Sequence, residues 1–235
     1  MTDKHLSSQF DADLNAVSSE VLEMGGLVEA QITEAIHALN EFDREAAERV
    51  IANEDRLNLM EVEIDEECGN IIARRQPAAR DLRLLMSISK TITNLERAGD
   101  EAEKIAKRVR RLADEPIARS VNIAEIKVSG EMAVTILRRA LDAFARLDTV
   151  AAAQIVKDDK EIDLEFRAFV RKLVSYMQED PRTISVGLDF LFIAKAIERV
   201  GDHAKNIAEF IIYIVKGTDV RHQPRDLLDR EANSY

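Results

Sequence analysis

Apolar residues recur at steps of three and four along six long stretches of this chain, the spacing of a helix with one buried side. In the first stretch, about residues 8–40, Phe10, Leu14, Val17, Val21, Met24, Val28, Ile32 and Leu39 share one side, and only Gly25-Gly26 interrupts the run. The second predicted helix covers about 44–74 and ends before Gln76-Pro77, since proline disfavours helical backbone in the residue before it. The third covers about 79–113, with Lys104, Lys107, Arg108, Arg110 and Arg111 in its last turns, where cations complement the helix dipole. Asp114-Glu115-Pro116 is the expected boundary. Beyond it the plan repeats, with helices at about 120–146, 149–178 and 184–216 and a loop at Glu179-Asp180-Pro181.

The repetition extends to the spelling. Glu96-Arg97-Ala98-Gly99-Asp100 returns 102 positions later as Glu198-Arg199-Val200-Gly201-Asp202. The apolar seam Ile193, Ile197, Val200, Ala204, Ile207, Ile211, Ile214 likewise maps back onto Thr91, Leu95, Ala98, Ala102, Ile105, Val109, Leu112. Duplicated helices of about 30 residues joined by short loops imply an all-α fold of two tandem, similar three-helix bundles. The expected domains are residues 8–115 and 116–217, and residues 218–235 are expected to form a flexible tail.

Composition sharpens this. Hydrophobic residues reach 46% and charged residues 33%, whereas aromatics are 5%, with 8 Gly and 4 Pro, too few turn formers for a sandwich or barrel. The net charge of −11 argues against a nucleic-acid partner, because phosphate backbones attract basic surfaces. No secretory signal is visible, and the longest apolar run, residues 210–215, is far short of the roughly 20 needed to span a bilayer. The single cysteine, Cys68, excludes an intrachain disulfide and suits a reducing compartment, so a cytoplasmic protein is expected.

Residues four apart lie on one helix face, so Glu96 and Asp100 stand one turn apart, as do Glu198 and Asp202. Each pair flanks its apolar seam. On the preceding helices, Glu54 with Asn58, and Asp159 with Asp163, offer matching elements at nearly equal distance from the hairpin turn. Four oxygen-bearing side chains are therefore expected to converge in each half. Converging carboxylates need a proton, an arginine or a cation, and an all-oxygen set suits hard ions such as magnesium, calcium or manganese, or iron. Mid-helix Gly99 and Gly201, each about 1 kcal/mol less favourable than alanine, suggest a bulky object or a close helix contact. With four carboxylates against three plus Asn58, the second set is expected to hold a cation more tightly. Spacing alone also admits solvated acids on a helical scaffold. A ferritin-like oxidase is disfavoured, because the Glu-x-x-His spacing of such sites is missing from both phrases. No nucleophile–base pair or glycine-rich phosphate loop is visible, so catalysis is not expected. Cys68 reads as inert core, and among histidines only His203 adjoins an acidic element, opposite Glu101 in the other half.

Arg75-Gln76-Pro77, Asp81-Leu82-Arg83 and the two phrases Leu95–Asp100 and Ile197–Ile207 resemble the PhoU family of bacterial phosphate-transport accessory proteins, over nearly the whole chain. The resemblance implies a non-enzymatic cytoplasmic regulator, usually a homodimer. Such a regulator represses the phosphate-starvation response by linking the phosphate-specific ABC transporter, through its ATPase subunit, to a sensor histidine kinase. It also implies metal ions (iron, manganese, magnesium or zinc) bound through Glu54, Asn58, Glu96 and Asp100 in one cluster and Asp159, Asp163, Glu198 and Asp202 in the other.

Overall fold

The computed structural model describes residues 8–221 and 231–232. Seven helices account for the two halves: α1 (Ser8–Glu41), α2 (Arg44–Ala52), α3 (Glu54–Arg75) and α4 (Ala79–Leu112), then α5 (Ala124–Arg146), α6 (Thr149–Glu179) and α7 (Ile184–Lys216). Short 3₁₀ turns at Pro116–Ser120 and Pro181–Thr183 lead into α5 and α7, each with proline at its start, where a missing N–H is harmless. No strand occurs among the described residues.

Two boundaries differ from the sequence reading. The second predicted helix is jointed at Asn53, whose backbone (φ −96°, ψ 0°) leaves the α-helical range and separates α2 from α3. The joint leaves the Asn53 carbonyl free to accept from Gln31 Nε2 at 3.1 Å. Conversely, Gly25-Gly26 does not interrupt α1. Gly25 sits where a Cβ would lie 2.3 Å from Leu141 of α5, so it is a notch for a neighbouring helix.

The duplication is visible in the turns as well as the helices. Asp43 caps α2 by accepting from the backbone N–H of Glu45 (2.9 Å) and Ala46 (3.1 Å), and Asp148 caps α6 by accepting from Val150 (3.1 Å) and Ala151 (2.9 Å). Each cap follows a residue in left-handed conformation, Phe42 (φ 54°) and Leu147 (φ 51°), which turns the chain back on itself.

Every residue of the two mapped seams, from Thr91 to Leu112 and from Ile193 to Ile214, is buried. These seams also join the halves. The broadest helix contact in the molecule is between α4 and α7, and α1 also packs on α5, so both bundles share one continuous core. Arg108 and Arg111 of α4 both reach Asp189 of α7 (2.8 and 2.6 Å), and Arg138 of α5 reaches Glu29 of α1 at 2.6 Å. Part of the expected loose tail is held: Val220 and Ala232 are buried, and the Ala232 carbonyl accepts from Thr149 Oγ1 at 2.9 Å. Most of the remainder of that stretch lies outside the described residues.

Candidate functional site

The two hairpins set α3 against α4 and α6 against α7, as the spacing of the carboxylates requires. The glycines of the repeated phrase admit this close approach. A Cβ at Gly99 would lie 2.6 Å from Leu57 Cδ1, and one at Gly201 would lie 2.9 Å from Ile162 Cδ1 and 3.0 Å from Asp159 Oδ1. Leu57 and Ile162 are equivalent residues, so each half seats an aliphatic side chain over its glycine. Close helix contact, rather than a bulky ligand, accounts for the repeated glycine.

In the first half the carboxylates form an acid pair rather than a ring of four. Glu54, at the start of α3, meets Glu103 of α4. The hydrogen bond to Glu103, then burial, then the charges of Glu103 and Asp100 push the Glu54 carboxyl up to about 7. Burial alone would raise Glu103 too, but the hydrogen bonds from Glu54 and Lys107 outweigh it and hold Glu103 below the usual range. Glu54 is thus the proton donor and Glu103 the charged acceptor. Glu96 is raised by burial and by Asp100 and Glu61, and Glu61 itself accepts from Thr93 Oγ1 at 2.9 Å. Asn58 is exposed.

The second half solves the same problem with lysines. Asp159 is only 4% exposed, and Lys205 Nζ stands 3.3 Å from its Oδ2. Burial raises the Asp159 carboxyl, Lys205 opposes this, and Asp202 and Asp163 add to the rise. Burial works against charge on Lys205, but Asp159, Asp202 and Glu209 together lift it above the ordinary lysine value. Glu198 is engaged separately by Lys195 Nζ at 2.5 Å, whose ammonium lies 5.5 Å from the centre of the Phe166 ring.

Among the described residues, no three carboxylate, histidine or cysteine side chains converge to hold a metal ion. As placed, the two expected sets do not fit a divalent cation. Their helices are adjacent as expected, but Glu54 is bound to Glu103, Asp159 to Lys205, and Glu198 to Lys195. Sequence reasoning missed Glu103, Lys195 and Lys205. Aligning the halves at 102 residues exposes them, since Glu103 falls on Lys205 and Thr93 on Lys195.

The remaining candidates are absorbed by packing. His203 turns away from the carboxylates and across to the other half, where Asn94 Oδ1 lies 3.1 Å from its Nδ1 and 3.0 Å from Asn206 Nδ2. Burial, then the charges of Arg199, Arg97 and Lys104, push its imidazole down to about 4, so it is neutral. Its equivalent Glu101 is also buried at this junction, 3.0 Å from Lys104 Nζ and 3.5 Å from Arg199 Nε. At the basic end of α4, Lys104 pairs with Glu101, Lys107 with Glu103, and Arg108 and Arg111 with Asp189. Cys68 is buried, and burial pushes its thiol up to about 12, leaving almost no thiolate near neutral pH.

The PhoU domain family model matches the chain twice, at residues 21–109 and 126–211, one match in each half. A Burkholderia protein described as a phosphate-specific transport system accessory protein PhoU homolog is 59% identical over 99% of this chain and 99% of its own length. The crystal structure of PhoU from Pseudomonas aeruginosa superposes with a TM-score of 0.86 at 47% identity, covering 89% of this chain and all of that one. The phosphate transport system regulatory protein PhoU from Streptococcus pneumoniae gives 0.84 at 28% identity, covering 90% and 99%. The chain belongs to the PhoU family.

Proposed function

We propose that this chain is a non-enzymatic regulator of phosphate uptake, which restrains the phosphate-starvation response by contact with the phosphate ABC transporter and a sensor histidine kinase. The observation that carries this reading is family membership over both halves, in relatives named for an accessory or regulatory part in phosphate transport. The interior is consistent with action by contact: Asp159 is paired with Lys205, His203 Nδ1 with Asn94 and Glu101 with Lys104 and Arg199. No helix among the described residues is long and apolar enough to cross a membrane; on this reading the transporter is met from the cytoplasm, by the homodimer expected of the family.

A starvation-promoter reporter in high phosphate tests the assignment. Deleting the gene switches the reporter on, and restoring the chain silences it. A reporter that stays silent in the deletion strain sinks the regulatory reading. Recovery of the transporter ATPase and the kinase with the tagged chain from membranes tests the contacts themselves.

A further inference from the structure

The two halves treat the same carboxylates in opposite ways, and the difference is local. Glu103 and Lys205 are equivalent positions on α4 and α7, and so are Lys107 and Glu209 one turn later. The first half therefore carries an acid followed by a base, and the second a base followed by an acid. Glu103 pairs with Lys107 along its own helix and meets Glu54 across the hairpin. Lys205 instead meets Asp159 across the hairpin, in a place where the aspartate is almost fully buried. A buried carboxylate without a counter-charge is strongly disfavoured, so Asp159 needs either a proton, as Glu54 has, or a cation beside it. The structure already holds a cation there, covalently tethered. Lys195, where the first half has Thr93, takes up Glu198 along its own helix.

We propose that Lys205 is the resident counter-ion of the second carboxylate cluster: it neutralises Asp159 as Lys195 neutralises Glu198, and the cluster takes up no divalent cation. A tethered ammonium needs no recruitment from solvent, and a divalent ion approaching Asp159 meets its repulsion. The inference departs from the expectation drawn from counting carboxylates, in which the second half binds metal more strongly. It stands independently of the regulatory reading, because it concerns only what neutralises one buried cluster.

Manganese is a suitable probe, with the full-length protein stripped by chelator and then dialysed against Mn²⁺. Bound metal is read by atomic emission and the thermal midpoint by calorimetry. Wild type and Asp202→Asn should bind the same amount of Mn²⁺. Lys205→Met should melt several degrees lower without metal, bind additional Mn²⁺, and recover its midpoint when Mn²⁺ is present. The double variant Lys205→Met/Asp159→Asn should regain the midpoint without any metal, because the buried charge is gone. Loss of bound Mn²⁺ in Asp202→Asn overturns the proposal, as does a Lys205→Met protein that gains no Mn²⁺. If Lys205→Met does not fold, the double variant decides: folding supports a counter-ion role, and failure to fold overturns it.

Discussion

Glu103 of α4 and Lys205 of α7 occupy the same place in the two halves, three residues beyond the repeated Glu-Arg-x-Gly-Asp phrase, yet one is an acid and the other a base. Each faces the carboxylate offered by the preceding helix, Glu54 in the first half and Asp159 in the second. One hairpin is closed by a shared proton and the other by an ion pair.

Exchanging the charges at the first hairpin should convert one arrangement into the other. In the wild type, Glu54 keeps its proton to about 7 when folded, against 4.5 as the ordinary value, so this group stabilises fully below 4.5 and loses its contribution as pH rises through 7. Glu103, held low, acts in the opposite sense at more acid pH. The double variant Glu103→Lys/Lys107→Glu copies the Lys205/Glu209 pattern and lets Glu54 ionise beside an ammonium. Urea unfolding should show it more stable than wild type at pH 8, by on the order of 1 kcal/mol, with the difference shrinking toward pH 5. An advantage that grows on acidification would count against the acid pair.

Two adjacent glycines of α1 should respond oppositely to alanine. Gly26 has nothing within 4 Å of a built Cβ, so Gly26→Ala should stabilise by about 1 kcal/mol through helix propensity alone. At Gly25 the same methyl would lie 2.3 Å from Leu141 Cδ2, so Gly25→Ala should destabilise by about 1–3 kcal/mol as the α1–α5 contact is pushed apart. Denaturant midpoints of the two single variants are sufficient, and equal shifts would contradict the packing described.

Acidification should weaken the junction between the halves through His203. Its folded value of about 4 lies below the ordinary 6.5, so the unfolded chain takes up a proton that the folded one refuses. The stability held by neutral His203 is complete above 6.5 and is lost as pH falls toward 4, by up to about 3 kcal/mol. The groups bearing on it are Arg199 from its own helix and Arg97, Lys104 and Asn94 from α4, none of which supplies a compensating negative charge. Nearby Glu101 is committed to Lys104 and Arg199. The slope of stability against pH between 4 and 6.5 should be shallower in His203→Gln, and the His203 ring resonances in wild type should not titrate above pH 5.

The equivalent helix caps should be energetically equivalent. Asp43→Ala and Asp148→Ala each remove an acceptor from two backbone N–H groups, and each should lower stability by about 1 kcal/mol. Their sum should match the double variant, since the caps belong to separate hairpins. Thermal unfolding of the four proteins checks both statements.

Much of the architecture was legible in the chain itself, because helical periodicity reports which side of each helix is apolar. The seam positions between Thr91 and Leu112 and between Ile193 and Ile214 are all buried, and the equal hairpin arms bring α3 beside α4 and α6 beside α7. The duplicated phrase also marked the glycines that let those helices close up.

Periodicity fixes a direction around one helix axis and says nothing about how far each helix is rotated or offset against its neighbour. Those rigid-body parameters determine that Lys205 reaches Asp159, that Glu54 meets Glu103 three residues past the motif, and that His203 looks across to Asn94 instead of into the carboxylates. They also merge the two bundles through α4 and α7 into one core, a contact between segments far apart in the chain. The repeat and its helices follow from short-range spacing in the sequence. Which charge neutralises which is settled by long, flexible side chains at the flanks of the seams, and only the packed tertiary structure brings those ends together.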